Sequence, residues 1–100
     1  MIVISGVITV SDETRDECLA CLRELRAATL CQDDGVVAYR IGVDIENPNE
    51  IHVYEEWEST DLLKLHGSKP HMDKFRELRK KLSLKTSGFS RWRAEELGEF

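Results

Sequence analysis

Residues 2–10 form a run of aliphatic and β-branched side chains that stops at the polar cluster SDETRD, the pattern of a strand leading directly into a helix start. Thr14 followed three residues later by Glu17 has the form of a capping box. Cys18, Leu22, Leu25 and Thr29 or Leu30 then recur at helical spacing, which predicts one buried helix face and an end near Cys31. Asp33, Asp34 and Gly35 interrupt that period. Beyond them Val37, Tyr39, Ile41, Val43 and Ile45 alternate with Val36, Ala38, Arg40, Gly42 and Asp44, and residues 51–57 alternate again after the turn-like ENPNE. Two antiparallel strands joined by a loop longer than the tightest hairpin are expected from this pattern.

The third quarter of the chain switches back to helical spacing. Ser59 can cap a short helix over 60–66, with Gly67 expected as its left-handed C-terminal residue and Ser68 as the cap of the next helix. Pro70 falls in that helix's first turn, where its missing N–H costs nothing, and Met72, Phe75, Leu78 and Leu82 make its apolar stripe. Residues 86–96, with Phe89 and Trp92, read as a last strand. The order β-α-β-β-α-β with a broken second helix predicts an α+β, ferredoxin-like fold with helices on one face of a four-stranded antiparallel sheet. The other face stays bare although Val3 and Val7 stand opposite Ile2, Ile4 and Ile8, so a two-fold partner sheet is the expected cover. No linker or repeat divides the chain, which reads as one domain, 1–100, with a core of 2–95 and a tail of 96–100.

The 41% hydrophobic and 33% charged content is that of a globular protein. No run approaches the roughly 18 apolar residues of a membrane span, and the opening has neither a basic lead nor a cleavage region, so a cytoplasmic location and no membrane partner are expected. The net charge of −5 divides into −9 over residues 1–60 and +4 over 61–100. The basic stretch KFRELRKKL keeps its apolar residues at helical spacing, so its bases read as a solvated helix face rather than a nucleic-acid site. Cys18, Cys21 and Cys31 are an odd set suited to a reducing compartment, and the CLAC pair lies inside a helix rather than at the N-terminus a redox pair requires.

Candidate chemistry concentrates in LHGSKPHM, residues 65–72. His66 falls at the C-terminal end of one helix and His71 in the first turn of the next, so the helix dipoles favour imidazolium at one and imidazole at the other. Glu55 shares a strand face with Ile51, Val53 and Trp57, a costly position for a carboxylate unless Arg40 pairs with it or it lines a pocket. His66, His71 and Glu55 are also the residue types of a facial metal triad, but a turn between the histidines leaves nothing in the spacing to force convergence, and no metal is expected. Tyr39 and Trp57 are core residues or aromatic pocket walls with a polar tip.

The segment YEEWESTDLLKLHGSKPHMDKF, residues 54–75, resembles the antibiotic-biosynthesis monooxygenase family, especially its small quinol-monooxygenase-like members. Glu55, Trp57, Ser59, His66, Ser68, Pro70, His71 and Phe75 match that pattern in order. The resemblance implies a dimeric α/β barrel and the oxidation by oxygen of a small phenolic or hydroquinone-type aromatic without a cofactor. It assigns catalysis to His66 or His71 with Glu55, and the substrate pocket to Tyr39, Trp57, Met72 and Phe75. Family members commonly carry an acidic residue, Pro or Glu, Gly and Cys ahead of the second strand's aromatic; CQDDGVVAY keeps Gly35 and Tyr39 but not that Cys. The haem-degrading branch is less similar, its iron-ligating position falling near Phe75 or Arg76. Two other readings remain open: a superfamily isomerase using Lys64, Lys69 or Lys74 for a phosphate, and a non-catalytic dimeric binding module.

Overall fold

The computed structural model describes residues 1–100. The elements run β1 (Ile2–Thr9), α1 (Arg15–Gln32), β2 (Val36–Val43), β3 (Glu50–Trp57), α2 (Thr60–Gly67), α3 (Pro70–Lys81) and β4 (Lys85–Arg93). The four strands form one antiparallel sheet in the order β2-β3-β1-β4. This is the ferredoxin-like α+β fold that the element order predicts, with the second helix split into α2 and α3. Cross-strand register aligns Ile2 with Trp57, Ile4 with Glu55 and Ile8 with Ile51, so one face of β1 and β3 is a continuous row directed at the helices. Leu22 and Leu25 of α1 close on that row together with buried Cys18, and each fully buried aliphatic side chain contributes roughly 1.5–3 kcal/mol. No helix is long and apolar enough to cross a membrane.

Several local expectations change. Thr14 precedes α1 but its side chain caps nothing; it hydrogen-bonds Ser11 instead. Thr29, not Leu30, completes the buried face of α1, its hydroxyl donating to the Leu25 carbonyl at 2.7 Å. A bulge between Val36 and Ala38 puts Val36 on Tyr39's face and leaves Val37 half exposed. β2 stops at Val43 because the Asp44 carboxylate accepts the Glu46 and Asn47 N–H groups, and this turn leaves Ile45 outside the sheet. β4 begins one residue earlier than expected and ends at Arg93. Ser59 does cap α2, accepting from the Leu62 N–H at 3.2 Å. Gly67 is the last helical residue rather than a left-handed cap, because Ser68 closes the helix end by donating its hydroxyl to the Leu65 carbonyl; α3 starts from Lys69 without a side-chain cap.

Two glycines permit close approaches between elements. Gly35 sits at φ +83°, and a Cβ there would stand 2.4 Å from Leu62 Cδ1, so only glycine lets the chain leave α1 this close to α2. Gly6 faces the register shift of β4, where a Cβ would stand 2.4 Å from the Phe89 ring. Its missing side chain lets that ring lie against β1.

Candidate active site

The turn at Gly35 carries Asp33 inward from the end of α1. Its side chain is 1% exposed, and Oδ2 meets two imidazoles: Nδ1 of His66 at the end of α2, and Nε2 of His71 in the first turn of α3, the latter at 3.0 Å. Lys69 Nζ stands 3.9 Å from the other oxygen, Oδ1, which has no hydrogen-bond partner. The two histidines therefore converge, with ring centroids 5.7 Å apart, through a carboxylate that lies 33 and 38 residues earlier in the chain. Burial by itself pushes the Asp33 carboxyl up, but the hydrogen bonds from His71 and His66 and the charges on their rings hold it below the ordinary value of 3.8. Burial lowers His66, and its contacts with Asp33 only partly oppose that, so the imidazole is neutral at neutral pH.

Asp33 Oδ1 is the one buried, unpartnered side-chain polar atom. His66 Nε2 makes no protein hydrogen bond and is not such an atom, so it reaches open space. A cavity of about 350 Å³ lies between the sheet and the three helices. His66, Glu55, Tyr39, Met72 and Phe75 line it, and ten of its fifteen lining residues are hydrophobic, which suits an aromatic ring held away from water. A carboxylate can only accept, so neutral His66 donates Nδ1–H to Asp33 and keeps its Nε2 lone pair unpaired within the chain, the tautomer a general base requires.

Glu55 and Tyr39 bring further polar atoms to the cavity. Trp57, fully buried, donates its indole N–H to Glu55 Oε1 at 3.0 Å and packs its ring 4.6 Å from that of His66. Burial raises the Glu55 carboxyl, and the bond from Trp57 opposes the rise only in part. Tyr39 is raised by burial, then by the charges of Glu55 and Asp33, so it remains a phenol. Glu55 makes no hydrogen bond to either histidine, and Arg40 does not pair with it. The register puts Arg40 opposite Tyr54 on the other sheet face, with its guanidinium 3.8 Å from Glu56. Trp57 and His71 do not border the cavity; they stand behind His66, and His71 borders a separate groove with Cys21 and Lys74.

Asp33, absent from the candidates named from sequence, is the group that brings the histidines together. The available signal was the acidic position ahead of Gly35 and Tyr39, which reads equally well as a helix stop. Asp33, His66 and His71 each bring one ligand atom within 4.8 Å of the others and are the donor types of a two-histidine, one-carboxylate metal site, with Asp33 in the place expected of Glu55. Here the donors are bonded to each other, and the nearby Lys69 ammonium opposes a cation. The lysines of the phosphate reading are not gathered at the cavity: Lys69 faces Asp33, Lys74 pairs with Glu24 at 2.7 Å, and Lys64 is exposed. Cys18 is buried, which together with the nearby Cys21 pushes its thiol up to about 11, the behaviour of a packing residue.

No functionally curated protein matches the sequence. Solved structures do. A candidate antibiotic biosynthesis monooxygenase from Deinococcus radiodurans superposes with a TM-score of 0.87 at 22% identity, over 100% of this chain and 98% of the other. A conserved protein of unknown function from Bacteroides thetaiotaomicron, described as a possible oxidoreductase, gives 0.82 at 18% identity over 91% and 94%. A conserved protein from Methanosarcina mazei gives 0.83 at 23% identity over 94% and 92%. At these identities the similarity speaks for the fold. The sequence itself also matches the model of the family described as antibiotic biosynthesis monooxygenase over residues 1–78. Extending from β1 through most of α3, this match covers every residue of the Asp33, His66 and His71 cluster, and the chain belongs to the antibiotic biosynthesis monooxygenase family.

Proposed function

We propose that the protein is a cofactor-independent monooxygenase or oxidase of a small phenolic or hydroquinone-type aromatic, with His66 as the base. The observation that carries this reading is the pairing of His66: its Nδ1 is held on the Asp33 carboxylate, its Nε2 has no partner in the chain, and the residue lines an apolar cavity. His66 takes the phenolic proton, and the resulting phenolate gives one electron to oxygen. Superoxide and the phenoxyl radical combine into a C–O bond at a ring carbon, and protonated His66 supplies the peroxide's proton. Neutral His66 then removes the ring proton at that carbon as the O–O bond breaks; one oxygen atom stays in a quinone and the other leaves as water. The apolar walls keep bulk water from the anion, and Asp33 stabilises the imidazolium that forms twice in the cycle.

Oxygen uptake by chelator-treated protein offered a panel of dihydroxylated aromatics is the test. Wild-type protein is expected to consume oxygen, and His66→Ala to lose about 10²–10⁴-fold of the rate, the usual worth of a positioned base. His71→Ala, which leaves Nε2 of His66 in place, is expected to lose less. Uptake unchanged in His66→Ala overturns the reading; anaerobic proton exchange into a substrate would favour the isomerase instead.

The functional unit in this proposal is a homodimer closed over the bare sheet face. Val3, Val7, Tyr54 and Trp92 lie on that face, and Trp92 is 58% exposed. An apolar surface of this kind, left uncovered in a 100-residue chain, supports a second copy as its cover. Sedimentation is expected to give twice the chain mass, and Trp92→Glu to shift the protein towards monomer; a wild-type monomer at micromolar concentration would rule the dimer out.

A further inference from the structure

We infer that the substrate is an aromatic acid, bound with its reacting hydroxyl at His66 and its carboxylate at Arg79. Arg79 is the only Lys or Arg among the residues lining the cavity. It forms no ion pair with any carboxylate; its one side-chain hydrogen bond runs from a terminal nitrogen to Thr86 Oγ1, also a lining group, at 3.2 Å. Most of the guanidinium fork is thus free for an anion, with the threonine hydroxyl beside it.

Backbone geometry gives the length of the cavity wall along two elements, the helix α3 and the strand β1. Met72, Phe75 and Arg79 lie along one face of α3, and seven residues at the helical rise separate Met72 from Arg79 by about 10 Å. On the sheet, β1 pairs Ile4 with Glu55 and Ile8 with Thr86, four strand residues apart, or about 13 Å. Burial differs between the ends as well. Tyr39, Glu55 and His66 are at most 7% exposed, whereas Arg79 and Phe89 lie open at the rim. A ligand filling this space has an ionisable hydroxyl at a dry inner end, an apolar aromatic body and an anion at the wet outer end. A fused bicyclic with its carboxylate on the ring remote from the hydroxyls has that shape.

This inference rests on the oxidation reading only for which end reacts, so binding tests it separately. The probes are a dihydroxynaphthalene carrying a carboxylate on the far ring, the same diol without the carboxylate, and a naphthoate lacking hydroxyls. Affinities are measured by calorimetry under nitrogen with wild type, Arg79→Gln, Arg79→Lys and Thr86→Val. Wild type is expected to bind the carboxylated diol about tenfold more tightly than the neutral one, the worth of a charged hydrogen bond discounted for an exposed rim. Arg79→Gln should bring that ratio close to one, Arg79→Lys should recover part of it, and Thr86→Val should weaken it. In the oxygen assay Arg79→Gln should raise KM for the acid far more than it lowers kcat. Equal wild-type affinities, or a preference that survives Arg79→Gln in protein whose urea midpoint matches wild type, would overturn the inference. An Arg79-dependent preference without oxygen uptake would sustain the acid-binding end and refute the oxidation reading.

Discussion

Asp33→Asn is expected to lower kcat by about 10²–10⁴-fold while leaving a folded protein, because the carboxamide no longer fixes one tautomer of His66 or stabilises its imidazolium. The pH profile gives the decisive signature. His66 works as the neutral imidazole, and burial holds it below 6.5, so the wild-type rate is expected to fall only as pH drops through a midpoint lower than 6.5. The Asp33 contacts are what raise His66 against that burial. Their loss moves the acid limb to still lower pH even as the plateau falls. A structural role for Asp33 would lower stability without moving the limb, and an unmoved limb would refute the assignment.

The same groups fix the direction of acid stability. His66 and Asp33 both have folded values below their ordinary ones, so the unfolded chain binds more protons and the fold loses stability as pH falls, first below about 6.5 and again below about 4. Glu55, raised by burial, acts in the opposite sense, stabilising as pH falls through its own range.

Trp57→Ala should destabilise the fold by about 3–5 kcal/mol, a large share of the roughly 5–15 kcal/mol typical of a domain. The ring is fully buried and packs on His66, and its removal also leaves Glu55 Oε1 without a donor in a buried place. Trp57→Phe, which keeps most of the ring and loses only the N–H, should cost about 1–2 kcal/mol and raise the Glu55 carboxyl further. Urea denaturation of the three proteins measures this order. A loss below about 1 kcal/mol for Trp57→Ala would mean that the indole is not the wall supporting His66.

Much of this protein was legible in its residues because the information is local. Periods of two and of 3.6 separate strands from helices, Ser59 marks the start of α2, and Pro70 allows α3 to begin three residues after α2 ends. That Glu55 stands on an apolar face, between Val53 and Trp57, is a consequence of strand alternation alone. The left-handed cap expected at Gly67 failed because Ser68 meets the helix end with its own hydroxyl, a competition between neighbouring residues that glycine preference does not weigh.

What tertiary structure decided is the partner of each polar group. Asp33 reads as punctuation at the end of α1, and only the packing of that turn beside α2 and α3 makes it the shared acceptor of two imidazoles. Arg40 and Glu55 are close in the hairpin, yet the register sets Tyr39 opposite Glu55 and Arg40 opposite Tyr54, so the sheet's two faces part them. Arg79 looks like one more base on a solvated helix face until β4 comes alongside and the cavity takes in the rim that Arg79 shares with Thr86. The sequence by itself determined the elements, their order and the apolar faces, because dihedral preference and burial act over a few residues. The site needed the folded chain, because hydrogen bonds and charges act between atoms within a few ångströms, and the atoms that meet here come from positions more than thirty residues apart.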